Sequence, residues 1–320
     1  MAKSHYVDML SSGFVVKTAS SETHNAKLNA EIQQIKALCE IYPDLMVPVL
    51  HDGSAAGRRF YILEKKQGSP LSKIVFDSDM SFEQRRSILI HVLDAIQMAI
   101  GIERSKAHPT VSMHSRISEE WDAISFMHDL FDQHILFDGV PLGTTGRKIV
   151  ENALKLAETE EFVSVETAHF NFHFGNVIYN DAYKSVQFID PDNSVRGIDP
   201  LFGFSRFAFS FWHELATERE NAVEIMKMPD NLLFISRNAD YPAILAAIPE
   251  LSDISGLSPW ISKNDFSRFY ILTTYCFLRS IRINALRENR RSLNGPQPAT
   301  PEEILMLGCI AYLGRLRDIG

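Results

Sequence analysis

No uninterrupted apolar run in this 320-residue chain approaches the ~18 residues that a bilayer-spanning helix needs. The richest stretch, Phe266 to Leu286, is interrupted by Arg268, Arg279 and Arg282, so it reads as a long core helix with one polar face and no membrane span is expected. The opening residues lack the apolar segment of a secretory leader and place Asp8 where such a leader is uncharged. Cysteine is scarce: Cys39, Cys276 and Cys309 are odd in number, far apart and without a CxxC pair. That excludes a disulfide framework and a cysteine-based zinc site, and a reducing, cytoplasmic setting is expected. Basic residues are outnumbered, 32 Lys and Arg against 40 Asp and Glu for a net charge of -8. Binding along a nucleic acid needs a basic surface, so no nucleic-acid partner is expected. Glycine is rare at the start, where Gly13 is the only one ahead of Lys17.

What the chain does have is ample core material, at 45% hydrophobic residues. Tyr6 to Leu10 and Phe14 to Thr18 are short strand-like runs on either side of Ser11-Ser12-Gly13, which suits a tight turn, so they read as an antiparallel pair. From Ala26 to Ile41, Leu28, Ile32, Ile35, Leu38 and Ile41 recur three or four apart, the period of an amphipathic helix. Val47 to Leu50 and Phe60 to Glu64 read as two further strands. The Gly- and Pro-bearing segment Lys65 to Pro70 then reads as a linker, placing a boundary between residues 1–66 and 67–320. Helical spacing follows over Ser81 to Ile102, Ser118 to Phe137 and Gly146 to Ala157, a strand-rich region over Val163 to Asp190, and helices again beyond Leu201. The polar stretch from Arg287 to Pro301 reads as a solvated loop.

The chemistry concentrates in His169-Phe170-Asn171-Phe172-His173-Phe174-Gly175-Asn176 and in the hydrophobic hairpin that runs from Asn176 to Asp190. Asn176 and Asp190 are hard oxygen donors, one neutral and one ionised, as magnesium prefers when phosphate oxygens and water fill its other positions. Lys17 lies on the second strand, and Glu31, fourteen residues later on the first helix, is within reach of it. A lysine held by a glutamate in this way suits the α- and β-phosphates of a nucleotide. The His169-x-x-x-His173 pair is not read as a zinc site, because the interleaved phenylalanines and Gly175 do not fit a helical turn. Phe170, Phe172, Phe174, Phe188, Phe202, Phe204, Phe207, Phe209 and Phe211 read as core packing rather than as an aromatic platform. Trp121, Asp122 and Asp129 read as a solvated helix face and Trp212 to Glu214 as structural, with Asp122, Asp129, Asp132 and Glu214 as candidates for lining a cationic acceptor.

Together these stretches resemble the aminoglycoside phosphotransferase and choline kinase family, whose catalytic loop reads approximately His-Gly-Asp-x-His-x-x-Asn, followed by a hairpin ending in Ile-Asp and then by Gly-Asp-Pro. Here His169 to Asn176, Phe188-Ile189-Asp190 and Gly197-Ile198-Asp199-Pro200 match in order and spacing, and Phe60 to Glu64 resembles the family's hinge strand. The resemblance covers about residues 13 to 215. It implies an α+β, protein-kinase-like fold of two lobes: a small antiparallel sheet with one helix, which binds nucleotide, and a larger helical lobe with the catalytic loop and acceptor site. It implies ATP and Mg2+ as cofactors and a small-molecule hydroxyl as acceptor. Position by position, it implies Lys17 and Glu31 at the nucleotide phosphates, backbone groups near Glu64 and Lys66 at adenine, Asn176 and Asp190 at magnesium, and His173 facing the pocket. His169 would brace the loop and Asp199 would anchor it.

Two departures bear on activity. Asn171 stands where the family carries an aspartate as proton acceptor, and an amide can orient a hydroxyl but cannot take its proton. The sixteen residues ahead of Lys17 leave the glycine-rich lid missing or minimal. A catalytically inactive nucleotide-binding module is therefore the alternative to a phosphotransferase, and transfer of another group on the same scaffold is a third reading.

Overall fold

The computed structural model describes residues 5–75, 77, 79–109, 112–192, 195, 197–210, 223–236, 260–287, 299–300, 303 and 306–308. Contacts divide the chain into one unit formed by Met1–Pro109 with Val163–Gly203 and another formed by Thr110–Phe162 with Phe204–Gly320.

The first unit begins with β1 (His5–Met9) and β2 (Phe14–Ala19), the antiparallel pair expected around Gly13, which takes a φ of 85° in the turn. Helix α1 (Asn25–Ile41) buries Leu28, Ile32, Ile35 and Leu38 along one stripe, and Glu31 falls on the same buried face. Strands β3 (Val49–Ala55) and β4 (Arg58–Glu64) complete a four-stranded antiparallel sheet in the order β1-β2-β4-β3. The expected linker is more ordered than its Gly and Pro content suggests, because β5 (Ser69–Pro70) pairs with Ile178 and Tyr179 of the later hairpin. Gly68 makes that approach feasible: it has a φ of 122°, and a Cβ there would lie 2.4 Å from the Tyr179 carbonyl oxygen. A short α2 (Leu71–Val75) leads to α3 (Phe82–Arg104). Helix α3 starts on a capping box in which Ser81 Oγ accepts the Gln84 amide and the Gln84 side chain accepts the Ser81 amide. The two-residue strand β6 (His108–Pro109) closes this stretch.

In the second unit, α4 (Met113–Ala123) and α5 (His128–Phe131) lead into β7 (His134–Phe137) and β8 (Val140–Thr145), and α6 (Gly146–Ala157) follows. Helical spacing over Ser118 to Phe137 is thus realised only as far as Phe131, beyond which the chain is extended. The chain re-enters the first unit at β9 (Val163–Ser164), which pairs with β6, and continues through the hairpin β10 (Val177–Asn180) and β11 (Ser185–Phe188). Strand β11 is fixed beside the α1–β3 connection: Phe188 N–H donates to the Leu45 carbonyl at 2.6 Å, and Val47 N–H donates to the Phe188 carbonyl at 3.3 Å.

Helix α7 (Phe202–Phe209) is followed by an unexpected hairpin, β12 (Val223–Lys227) and β13 (Asn231–Ser236), in a region read as helical. Leu232 and Phe234 are buried two apart, the strand period, and Met228 to Asn231 form the turn through reciprocal backbone bonds. Strand β13 pairs in parallel with β7, giving a second four-stranded sheet, β12-β13-β7-β8. Helix α8 (Phe266–Arg287) is the long core helix expected, and its Tyr270 hydroxyl donates to the Ile149 carbonyl of α6. The architecture is α+β, an antiparallel sheet with one helix in the N-terminal region and a mainly helical remainder. Among the described residues no helix is long and apolar enough to cross a membrane.

Candidate active site

Lys17 sits in the middle of β2, opposite Val7 of β1 and Tyr61 of β4. Alternation along the strand turns its side chain away from the Val16 and Thr18 face and toward α1. It is only 5% exposed, and its Nζ lies 2.6 Å from Glu31 Oε1 and 2.5 Å from Asp190 Oδ1. Tyr61 donates its hydroxyl to the same Glu31 oxygen at 2.5 Å. One ammonium therefore serves two carboxylates. Burial disfavours the charged lysine, but Asp190 and Glu31 outweigh it and push the ammonium above its ordinary value, so it stays protonated. Burial, with Asp190 adding to it, pushes Glu31 up against the opposing pull of Lys17. Asp190 is also penalised by burial, yet Lys17 holds it below the usual carboxylate range.

The loop from His169 to Asn176 is braced from inside. His169 is fully buried, its Nε2 bonded to the Ile189 carbonyl at 3.0 Å and its Nδ1 accepting the Asn171 amide at 3.3 Å. Those partners define the tautomer, with hydrogen on Nε2. Burial lowers the pKa to about 3, so the ring is neutral. Phe172 stacks on it with centroids 4.6 Å apart and planes 7° from parallel, and also packs on Phe188. Gly203 belongs to this packing: a Cβ there would stand 2.6 Å from the Phe172 ring. Phe170, at the motif position where the family pattern has glycine, takes a φ of 55°. The other phenylalanines of the region that are described are buried, as core packing requires, and Phe211 lies outside the described residues.

Three residues meet at the end of the hairpin. Asn176 Nδ2 donates to the Asn171 and Asp190 carbonyls at 3.3 and 3.1 Å, and Asn171 Nδ2 donates to the Asp190 carbonyl at 2.9 Å. Carbonyls only accept, so these bonds fix the amide orientations and turn the Asn176 Oδ1 away from the main chain. That oxygen and the half-exposed Asp190 carboxylate are both hard donors of the kind a divalent cation takes. Among the described residues no three His, Cys, Asp or Glu side chains are grouped to hold a metal, so such an ion would draw its remaining ligands from phosphate and water.

His173 Nδ1 accepts the Gly175 amide at 3.1 Å, which leaves Nε2 as the hydrogen-bearing end. Glu64 and Lys66 are at the end of β4, paired with each other at 2.8 Å, and Lys65 N–H is bonded to the Gly13 carbonyl. Asp199 is fully buried; its Oδ1 accepts the Leu201 amide at 2.9 Å and lies 3.4 Å from Arg104. In the second unit, Asp132 is paired with Arg147, whose guanidinium lies over the Trp121 ring, and Trp121 stacks on His128. Glu214 lies outside the described residues.

Three residues near the site carried no legible signal. Glu103, buried near the end of α3, accepts both the Tyr42 hydroxyl and the His169 amide at 2.9 Å. Burial raises its pKa to about 8. Gln34 of α1 donates to the Ala168 carbonyl at 2.9 Å, just ahead of the loop. His5 of β1 lies in the field of Lys17 and Asp190, and burial followed by Lys17 lowers its pKa. A glutamate and a glutamine on helical stripes look solvated until the partner is placed 66 or 134 residues away.

No protein-family profile matches the chain, and no curated protein matches it in sequence. Among solved structures it is similar to aminoglycoside-3'-phosphotransferase of type VIII, at 15% identity and a TM-score of 0.44, covering 85% of this chain and 94% of that one. It is also similar to the GDP and kanamycin complex of APH(2")-IIia, at 13% identity and 0.45, over 91% and 86% of the two chains. The GDP complex of wild-type aminoglycoside 2'-phosphotransferase-IIIa is similar at 10% identity and 0.46, over 100% and 91%.

Proposed function

We propose that this chain is an ATP- and magnesium-dependent phosphotransferase that moves a γ-phosphoryl group to a hydroxyl of a small molecule of the aminoglycoside, amino alcohol or sugar type. The observation that supports it most is the cluster of Lys17, Glu31 and Asp190, with one ammonium between two carboxylates and the Asn176 side chain bonded to the Asp190 main chain. In this reading residues 1–66 form the nucleotide lobe and residues 67–320 carry the catalytic loop and acceptor site. Lys17 holds nucleotide phosphates, Glu31, itself bonded by the Tyr61 hydroxyl, orients Lys17, and main-chain groups around Glu64 to Lys66 face adenine. Asn176 and Asp190 hold magnesium, which neutralises charge on the phosphate oxygens when bound. His173 faces the pocket, where it meets a phosphate or acceptor oxygen.

Asn171 supplies no base. General-base loss commonly costs on the order of 10²- to 10⁴-fold in rate. Phosphoryl transfer passes through a loose transition state, so positioning and charge neutralisation retain much of the acceleration without it. The commitment of the Asn171 amide to the Asp190 carbonyl also favours the second reading, a nucleotide-binding module without turnover. Incubation with magnesium and ATP across a panel of hydroxyl acceptors, followed by phosphorus NMR, separates the two. A phosphate ester that disappears in Asp190→Asn supports transfer, whereas magnesium-dependent ATP binding with no ester for any acceptor supports the module.

A further inference from the structure

Asp190 takes a φ of 54°, a left-handed conformation that a residue with a Cβ adopts only when its surroundings hold it there. Its carbonyl oxygen accepts two side-chain amides, Asn171 Nδ2 at 2.9 Å and Asn176 Nδ2 at 3.1 Å. The preceding residue is held by the same loop, with the Ile189 carbonyl taken by His169 Nε2 and the Ile189 amide by the Asn176 carbonyl. The segment that aims the Asp190 carboxylate is thus pinned through its main chain by His169, Asn171 and Asn176.

We infer that Asn171 is a positioning residue: with Asn176 it clamps the Asp190 carbonyl and fixes where the Asp190 carboxylate stands. An ionised aspartate at position 171 has the same shape but no hydrogen to donate. Kept in the asparagine rotamer, it would set a carboxylate oxygen about 2.9 Å from the Asp190 carbonyl oxygen, a repulsive contact between two acceptors. Asn171→Asp therefore loses the clamp and adds repulsion, whereas Asn171→Ala loses the clamp without adding repulsion. A mere space-filling role gives the opposite order, since aspartate fills the volume and alanine does not. What Asp190 is positioned for rests on the proposed phosphotransfer; the clamp itself does not.

The test compares the unmodified chain with Asn171→Ala and Asn171→Asp at pH 8 by thermal unfolding, and by calorimetric titration of ATP with and without manganese as the metal probe. The clamp predicts a melting temperature lower by about 2 °C or more in the alanine variant, and lower still in the aspartate variant. Metal-dependent ATP affinity falls in the same order, about tenfold or more for aspartate, while ATP affinity without metal changes little. An aspartate variant as stable as the unmodified chain, or one ranking between it and alanine, overturns the clamp. So does an aspartate variant that binds metal-ATP equally well and turns it over a hundredfold faster, which would make Asn171 a lesion at a proton-acceptor position. If no variant and not the unmodified chain binds nucleotide, the phosphotransferase reading fails, and the order of melting temperatures still decides the clamp.

Discussion

Each unit of the molecule holds a charged cluster, and the two differ in balance. In the first unit Lys17 stands between Glu31 and Asp190, one cation for two anions. In the second, Glu120 of α4 is paired with Arg282 of α8, with Arg279 and Glu119 also in its field, so the signs are matched. The exposure differs as well. The Lys17 and Glu31 side chains are 7% and 6% exposed, so their excess negative charge has an outlet only through Asp190, which is 44% exposed. The Arg282 side chain is 35% exposed, so water screens the pair, which serves to fasten α4 to α8. A buried excess with one open side is an arrangement suited to receiving a counter-ion, whereas a matched and screened cluster needs none.

Lys17→Met attacks the first cluster directly, leaving two carboxylates face to face in a buried site. A loss of about 3–5 kcal/mol is expected in urea unfolding, since removing one partner of a buried ion pair exposes the full cost of the other. Arg282→Met, with Arg279 still in reach of Glu120, is expected to cost about 1 kcal/mol or less. Equal losses for the two variants would remove the distinction between the clusters.

Two glycines sharpen the same contrast. Gly68→Ala combines a positive φ with a clash against main chain in the first unit, and about 2 kcal/mol or more should be lost. Gly146→Ala in the second unit meets the Leu307 and Phe131 side chains rather than main chain and has no positive φ, so a smaller loss of about 1 kcal/mol is expected. Chemical denaturation of the two variants measures both.

Glu103 gives a pH signature confined to the first unit. Its folded pKa of about 8 is raised above the unfolded carboxyl value, so the stability it contributes is complete at acid pH and is lost as pH rises through 8. Glu103→Gln keeps the acceptor for Tyr42 and His169 and removes the titration. The melting temperature of the variant should fall less than that of the unmodified chain between pH 6 and 9; parallel profiles would show that Glu103 is ionised throughout. The smallest effect is expected at Lys66→Ala, which breaks an exposed pair with Glu64 and should change stability by less than about 0.5 kcal/mol. ATP affinity, measured by titration, should be little changed, because main-chain groups are proposed to face adenine.

The legible parts of the sequence were those with local periodicity. The β1–β2 pair, α1 and the β10–β11 hairpin follow from short repeats and turn residues, and the Lys17–Glu31 contact follows from a strand and helix joined by few residues. A motif singled out Asp190, but its contact with Lys17 was not legible, since 173 residues separate the two. Strand β13 was hidden because Leu232, Leu233, Phe234 and Ile235 form a continuous apolar run, and such a run gives no period until its parallel partner β7 is placed. Glu103 was hidden for the same reason in chemical form, because a buried carboxyl is recognisable only by the distant donors that satisfy it.

Calorimetric titration of ATP with magnesium into the unmodified chain, Lys17→Met and Asp190→Asn tests the central claim most directly. The account predicts magnesium-dependent binding to the unmodified chain that weakens at least about tenfold in each variant. Binding of equal strength in all three, or no binding to the unmodified chain, would contradict it.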